Sequence, residues 1–190
     1  IAEEGLDVVG VPTSEATKTL SRSLGIPLLT LEEAGELDLT IDGADEFDTN
    51  LDLIKGGGGA LTREKRVAEA SKAMLVVADD RKQVDVLGAF DLPMEVIASD
   101  WEAVRDRMLE ICPGEVRLRG GDAPYLTDNG GYILDCGFGP TISDPEALES
   151  QILSVSGLVE VGLFVGICDA VVMATSTGVS TLVKGNGRLS

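Results

Sequence analysis

Short apolar stretches alternate with helical patterns over the first 91 residues. Strands are predicted at residues 7–11, 26–29, 37–41 and 74–78. The tail of a helix is predicted at residues 1–6, and a single helical turn at 31–34. Longer helices are predicted from the N-cap pair Thr13-Ser14 to Leu24 and at residues 60–72. Strands that alternate with helices at this spacing indicate an α/β fold, a Rossmann-like, mainly parallel sheet with helices on both faces.

The pattern changes after residue 92. Strands are predicted at 94–98, 116–119, 125–127, 132–136 and 158–164, and helices at 101–111 and 145–153, with a hairpin turn at the Asp-Asn-Gly-Gly of 128–131. Strand–helix–strand–strand–helix–strand is the order of a split βαβ, ferredoxin-like unit. We therefore predict an inserted α+β domain at 92–164 and a Rossmann-like catalytic domain at 1–91 and 165–190. In the latter, a buried strand at 170–174 precedes a loop at 175–178 and a short helix or tail.

Composition narrows the function classes. The 190 residues are 44% hydrophobic and 25% charged, with a net charge of −18 and no histidine. This charge argues against nucleic acid and anionic membranes as partners, and no apolar run is long enough to span a bilayer. Without a secretory signal, the three widely spaced cysteines indicate reduced thiols in a cytoplasmic protein.

Candidate chemistry is concentrated between residues 39 and 66. Asp42 and Asp45 directly follow a predicted strand, and Lys55 precedes the four glycines of 56–59. Glu64 falls in the first turns of the next predicted helix. Ligands of open α/β sheets bind beyond the carboxyl ends of strands, where the two aspartates are expected. With no histidine, acid–base chemistry must use carboxylates, lysine, tyrosine, cysteine or water.

Each of these features also has a simpler interpretation. The acidic run from Asp42 to Asp48 is a solvated turn or a divalent-metal loop, although its spacing does not fit a calcium loop, and we expect no metal. The glycines alone indicate only a flexible loop. Glu64 alone is an ordinary helical acid, and Lys82 alone a surface lysine. Only the combination favours a reaction centre.

That combination resembles the type A ribose-5-phosphate isomerases over nearly the whole chain. The matching segments are IDGADE (41–46), IKGGGGALTREK (54–65), KQVDVLG (82–88), LPMEVI (92–97), TDNGGYILD (127–135) and VEVGLF (159–164). The resemblance implies an isomerase of the pentose phosphate pathway that interconverts ribose 5-phosphate and ribulose 5-phosphate. It implies an enediolate intermediate, no metal or organic cofactor, and a homodimer or homotetramer.

The resemblance also assigns roles to residues. Glu64 matches the proton acceptor, Lys55 a substrate-binding cation, and Asp42 and Asp45 the residues that handle the sugar hydroxyls and ring opening. The remaining substrate-binding positions are Gly43, Ala44, Gly56, Gly57, Gly58 and Lys82. Of these, Lys82 is expected to contact the phosphate group.

Members of this family begin with a helix, a strand and a G-T-G-S-T-type phosphate loop, and no segment here matches that loop. We therefore expect the natural protein to carry residues upstream of Ile1. A non-catalytic sugar-phosphate-sensing module of the same fold is the alternative function, although no DNA-binding helix–turn–helix is visible. A third possible function is that of a sugar-phosphate deaminase or lactonase, which the absence of histidine disfavours.

Overall fold

The computed structural model describes Gly5, residues 7–185 and Gly187. The helical tail predicted at 1–6 lies outside the described residues, apart from Gly5. The helices are α1 (Glu15–Ser23), α2 (Leu31–Ala34), α3 (Leu61–Glu69), α4 (Trp101–Ile111) and α5 (Pro145–Leu153). The strands are β1 (Thr40–Asp42), β2 (Glu46–Phe47), β3 (Leu53–Ile54), β4 (Met74–Asp79), β5 (Leu92–Val96), β6 (Val116–Leu118), β7 (Tyr132–Cys136), β8 (Leu158–Val161), β9 (Leu163–Phe164), β10 (Ala170–Thr175) and β11 (Gly178–Val183).

The first sheet has the order β1-β4-β10-β11. Strands β1, β4 and β10 are parallel, so their carboxyl ends meet at one edge, where Asp42 ends β1. The helix or tail predicted near the C-terminus is wrong, because residues 178–183 form β11, which pairs antiparallel with β10. Alternating Val179, Thr181 and Val183 favour this strand, since β-branched residues suit extended backbone.

Two predicted strands shrink to a single bridge. Residues 7–11 and 26–29 are joined only through Gly10 and Leu28 in the described structure. The backbone hydrogen bonds there run from the Gly10 N–H to Pro27 and from the Leu29 N–H to Gly10. Apolar residues alone therefore did not make longer strands here, since the ladder between these two segments is a single bridge in the described structure.

In β1 the apolar Ile41 faces outward and the polar Thr40 faces the interior. Ile41 is 64% exposed, while Thr40 is buried and its hydroxyl lies 2.6 Å from that of Ser71. Val77 and Val179 are also exposed. The opposite face of the sheet carries Met74, Val76 and Val171, which pack with Ala68 of α3 and the ring of Phe164 in one apolar cluster.

The second sheet has the order β6-β7-β5-β8, antiparallel throughout, which is the strand order of a split βαβ unit. Val104 and Met108 of α4 and Ile152 of α5 are buried against it. The strand predicted at 125–127 is reduced to a bridge between Leu126 and Tyr132, and the turn that follows Thr127 forms as expected. An α/β sheet with a smaller α+β unit is confirmed, while the proposed domain boundaries remain a prediction.

A small antiparallel sheet, β2-β3-β9, lies between these two. Lys55 directly follows β3, and its backbone N–H donates to the carbonyl of Gly162, which separates β8 from β9. This pairing places Lys55 at the junction of the two larger sheets. In the part of the chain that the structure describes, no helix has the length and hydrophobicity needed to cross a membrane.

Candidate active site

Lys55 lies at the centre of the site. It is 3% exposed, and its Nζ donates to the Gly43 carbonyl at 2.6 Å. The same Nζ lies 3.0 Å from Oδ2 of Asp42 and 3.1 Å from Oε2 of Glu64. The structure thus brings together four of the residues predicted from sequence, from three separate elements.

Local structure explains how these groups converge. Asp42 is the last residue of β1, and its Oδ1 accepts a hydrogen bond from the Gly43 N–H. Glu64 lies in the first turn of α3, where the helix dipole stabilises a negative charge. The N-cap residue, Ala60, gives α3 no side-chain cap. The helix start is therefore ordered by tertiary contacts rather than by its own cap.

Burial sets the acidity of Glu64. Desolvation raises the pKa of its carboxyl above the ordinary glutamate value, and the positive charge of Lys55 opposes this rise. The negative charges of Asp42 and Asp45 raise the pKa further. A carboxylate with a raised pKa is a better proton acceptor at neutral pH than an exposed one.

Two oxygens of the site are unsatisfied. Oδ2 of Asp42 and Oε2 of Glu64 are buried, and neither accepts a hydrogen bond of good geometry from the described residues, although Lys55 Nζ is close. Buried polar atoms without a partner are rare, and they occur preferentially where a ligand or reaction uses them. These two atoms therefore mark the Lys55 cluster as the candidate reaction centre.

The glycine run forms a loop in which the amide of Gly57 faces Asp45. The Gly57 N–H donates to Asp45 Oδ2 at 2.7 Å, and a Cβ at Gly57 would lie 2.6 Å from Oδ1 of the same carboxylate. Gly56 and Gly59 have φ values of 110° and 82°, which few residues with a side chain adopt. Glycine at these positions is therefore a geometric requirement, more than flexibility alone.

The acidic residues that follow β1 make contacts of two kinds. Asp42 contacts Lys55 and Asp45 contacts the glycine loop, whereas the carboxylate of Glu46 accepts hydrogen bonds from the Gly88 and Phe90 amides. Asp48 closes its own turn by accepting from the amides of Asn50 and Asp52. Glu46 and Asp48 are thus structural. Among the described residues, no three metal-ligating side chains are grouped for a metal ion.

Two predicted positions lie at the margin of the site. Lys82 ends a 3-10 turn that follows β4, so it lies at the same sheet edge as Asp42. None of the hydrogen bonds or ion pairs within the described residues joins Lys82 to the Lys55 cluster. Ala44 is half-buried and packs against the apolar cluster beneath the sheet.

Comparison with known proteins agrees with this geometry. Residues 9–178 match the family model of ribose 5-phosphate isomerase A (phosphoriboisomerase A). The chain belongs to that family.

Individual relatives support the assignment. Ribose-5-phosphate isomerase A of Methylorubrum extorquens is 52% identical, over 97% of this chain and 81% of the relative, and that of Cereibacter sphaeroides is 51% identical, over 94% and 74%. The ribose 5-phosphate isomerase A structure from Methanocaldococcus jannaschii has a TM-score of 0.89 at 42% identity, over 96% of this chain and 81% of that one. A D-ribose-5-phosphate isomerase in complex with phospho-erythronic acid has a TM-score of 0.90 at 40% identity, over 95% and 80%.

Sequence reasoning missed a ring of residues around this isomerase-family site. Thr62 donates to Glu95, which is 1% exposed, and the same carboxylate accepts from Thr127 and Asn129. Arg63 donates to the Asn129 side chain and to the Asp128 carbonyl. The Asp-Asn-Gly-Gly segment, interpreted from sequence as a turn only, therefore also holds the start of α3. Nothing but its presence among the matching motifs could have indicated this role.

Proposed function

We propose that this chain interconverts D-ribose 5-phosphate and D-ribulose 5-phosphate. The observation that carries the proposal is the Lys55 cluster, in which a buried cation lies between Asp42 and a glutamate of raised pKa. Aldose–ketose isomerisation needs a base that moves one proton between neighbouring carbons and a cation that stabilises the intermediate oxyanion. Membership of the ribose 5-phosphate isomerase A family supports the same reaction.

The proton transfer is assigned to Glu64. Its carboxylate takes the proton from C2 of the open-chain aldose, and the electron pair of that C–H bond forms the enediolate as the C1 carbonyl oxygen becomes negative. The same carboxyl returns the proton to C1, and transfer of the C2 hydroxyl proton to O1 completes the ketose. The net result moves hydrogen without an oxidant or a reductant.

The remaining site residues bind the substrate and stabilise the charge of the intermediate. Lys55 stabilises the negative oxygen, and the glycine loop at Gly56, Gly57 and Gly58 lets the backbone approach the substrate closely. Because the Gly57 N–H already donates to Asp45, we assign the Gly58 N–H to the oxyanion. Asp42 and Asp45, with Gly43 and Ala44, are assigned to the sugar hydroxyls and ring opening, and Lys82 to the phosphate. For Lys82 the support is its place at the sheet edge that Asp42 also occupies.

The decisive experiment measures isomerisation of ribose 5-phosphate by the wild type and Glu64→Gln. We expect kcat to fall by roughly 10²- to 10⁴-fold, the range for a general base, while phospho-erythronic acid still binds. Glu69→Gln, an exposed acid at the end of the same helix, is the control and should retain wild-type turnover. Near-normal turnover by Glu64→Gln would exclude Glu64 as the base. Tight binding without turnover by the wild type would instead favour the sugar-phosphate-sensing module.

We also propose that the protein acts in the cytoplasm as a homodimer or homotetramer, with residues 92–164 as a separate domain. The compartment is supported by Cys112, Cys136 and Cys168, which are buried free thiols. The domain division is supported by an apolar cluster centred on the second sheet, distinct from the cluster beneath the first. The oligomeric state rests on the family resemblance, and sedimentation of the purified protein tests it.

A further inference from the structure

Three successive carbonyls of the glycine loop face side chains of the smaller α+β unit. Arg119 Nη1 donates to the carbonyls of Gly56 and Gly57 at 3.0 and 3.1 Å. The Tyr125 hydroxyl donates to the carbonyl of Gly58 at 3.2 Å. The loop is therefore held from the side opposite to the catalytic carboxylates.

These contacts fix the direction of the loop amides. In a trans peptide the C=O and N–H groups point in opposite directions. The unit between Gly56 and Gly57 is consequently held from both sides, by Arg119 on its carbonyl and by Asp45 on its N–H. In the next unit Arg119 holds the Gly57 carbonyl, so the Gly58 N–H points away from Arg119.

Arg119 is itself oriented by a fork-like ion pair. Its Nε and Nη2 donate to the two oxygens of Asp135 at 2.9 and 2.5 Å, and both side chains are mostly buried. The guanidinium lies 5.9 Å from the centroid of the Tyr125 ring. Nη1 is thus left pointing at the loop, a geometry that the planar guanidinium provides and an ammonium does not.

We propose that Arg119, oriented by Asp135, is a positioning residue that holds the glycine loop so that the Gly58 N–H is aimed at the oxyanion of the reacting sugar phosphate. The inference rests on the proposed isomerase function. Within the described structure, the side-chain hydrogen bonds of Arg119 go to Asp135 and to the loop carbonyls, so we expect Arg119 to act through the glycine loop. The smaller unit thereby contributes to the catalytic geometry without supplying a catalytic residue.

Arg117 provides a matched control. It lies two residues earlier, pairs with Asp91 and Glu115, and is exposed over 57% of its side chain. It makes no hydrogen bond to the glycine loop within the described structure. Removing either arginine deletes one cation and one arginine–aspartate pair from the same region, but only Arg119→Met releases the loop.

We expect Arg119→Met to lower kcat for ribose 5-phosphate by roughly 10- to 100-fold, because misplacement of about 1 Å costs rates of this order. KM should change less, since oxyanion contacts strengthen in the transition state. Arg119→Lys should restore little, and added guanidinium ion should partly rescue Arg119→Ala. Arg117→Met should stay near the wild type. Equal losses in Arg119→Met and Arg117→Met, or full activity in Arg119→Lys, would overturn the proposal.

Two further measurements keep the inference testable. Asp135→Asn retains Arg119 but weakens its anchor, and it should lower kcat in the same direction by a smaller factor. Amide hydrogen exchange at Gly57 and Gly58 should accelerate in Arg119→Met and not in Arg117→Met. Should the wild type show no isomerisation, the proposed function fails, while the exchange rates and the affinity for phospho-erythronic acid still decide the role of Arg119. Unchanged exchange and affinity in Arg119→Met would refute it.

Discussion

Two buried lysines flank the same aromatic ring, and we expect them to have different roles. Lys55 and Lys65 are each 3% exposed, and their Nζ atoms lie 5.4 and 5.3 Å from the centroid of Phe164. Each is surrounded by two carboxylates and one backbone carbonyl. Composition and burial are therefore nearly the same at the two positions, and the difference lies in the geometry of the contacts.

Lys65 uses its whole hydrogen-bonding capacity within the protein. Its Nζ donates to Glu149 and Glu160 at 2.7 Å each and to the Val161 carbonyl at 2.9 Å. An ammonium has three N–H donors, so none is left for a ligand. Lys65 therefore fastens α3 to α5 and β8.

Lys55 uses only part of that capacity. One donor goes to the Gly43 carbonyl, while the contacts with Asp42 and Glu64 are close without hydrogen-bond geometry. A buried cation with donors to spare can bind a substrate oxygen, whereas a saturated one can only hold the fold together. The geometry of the contacts, rather than burial or charge, distinguishes the two lysines, and we expect Lys55 to be the catalytic one.

The largest effect that tests this distinction is expected for Lys55→Met. Removing a donor that stabilises an oxyanion costs about 10²- to 10³-fold in kcat, and we expect a loss of this size for ribose 5-phosphate. The free energy of unfolding should change less than in Lys65→Met, because only one good hydrogen bond is lost. Steady-state kinetics and urea denaturation of the two variants measure both quantities. If Lys55→Met unfolded the protein as readily as Lys65→Met, the distinction would fail.

Lys65→Met should give the reverse pattern. Removing one partner of a buried ion pair leaves an uncompensated charge and costs about 3 kcal/mol of stability. Glu149 and Glu160 remain next to each other in this variant. We expect kcat to fall by less than tenfold, since Lys65 does not reach the substrate.

Lys72→Met is the matched control for that measurement. Lys72 also pairs with two acids, Glu36 and Asp38, but all three side chains are well exposed. Solvent screens such a pair, and no measurable change in stability is expected. Comparable losses in Lys65→Met and Lys72→Met would show that burial of the Lys65 cluster contributes little.

Much of the fold and of the reaction centre could be predicted from local signals. Ser14 is an N-cap whose side chain accepts from the first turn of α1, as the sequence predicts. Asp144 caps α5 in the same way, where a helix is predicted to begin at residue 145. Asp42, Lys55 and Glu64 form one cluster because all three lie in a single motif-bearing stretch. Short-range chemistry of this kind can be predicted without knowledge of the tertiary structure.

The supporting residues could not be found in this way. Lys65 meets Glu160 across 95 positions, and Arg119 meets Gly56 across 63. No periodicity or capping rule connects such distant positions, and a lysine or arginine in a helix or strand is by default exposed. Likewise, no local rule distinguishes Asp45 from Glu46 within the acidic run, and only the family resemblance separated them.

The smallest expected effect concerns pH, and it separates the two lysines most directly. Because burial raises the pKa of Glu64, the acid limb of kcat/KM should lie above the ordinary glutamate range. Lys55→Met removes the charge that opposes this rise, so the limb should move to higher pH, while in Lys65→Met it should stay in place.

Ionisation of the substrate phosphate is common to all variants, so the difference between profiles reports on the enzyme. The free energy of unfolding also depends on the raised pKa of Glu64, but it falls as pH rises, whereas activity increases. With its native pKa above the unfolded value, Glu64 lowers the free energy of unfolding as pH rises between those two values. Glu64→Gln should abolish that slope. An equal shift of the acid limb in both lysine variants would mean that each acts on Glu64 as a charge, and the saturated contacts of Lys65 would then not confine it to a structural role.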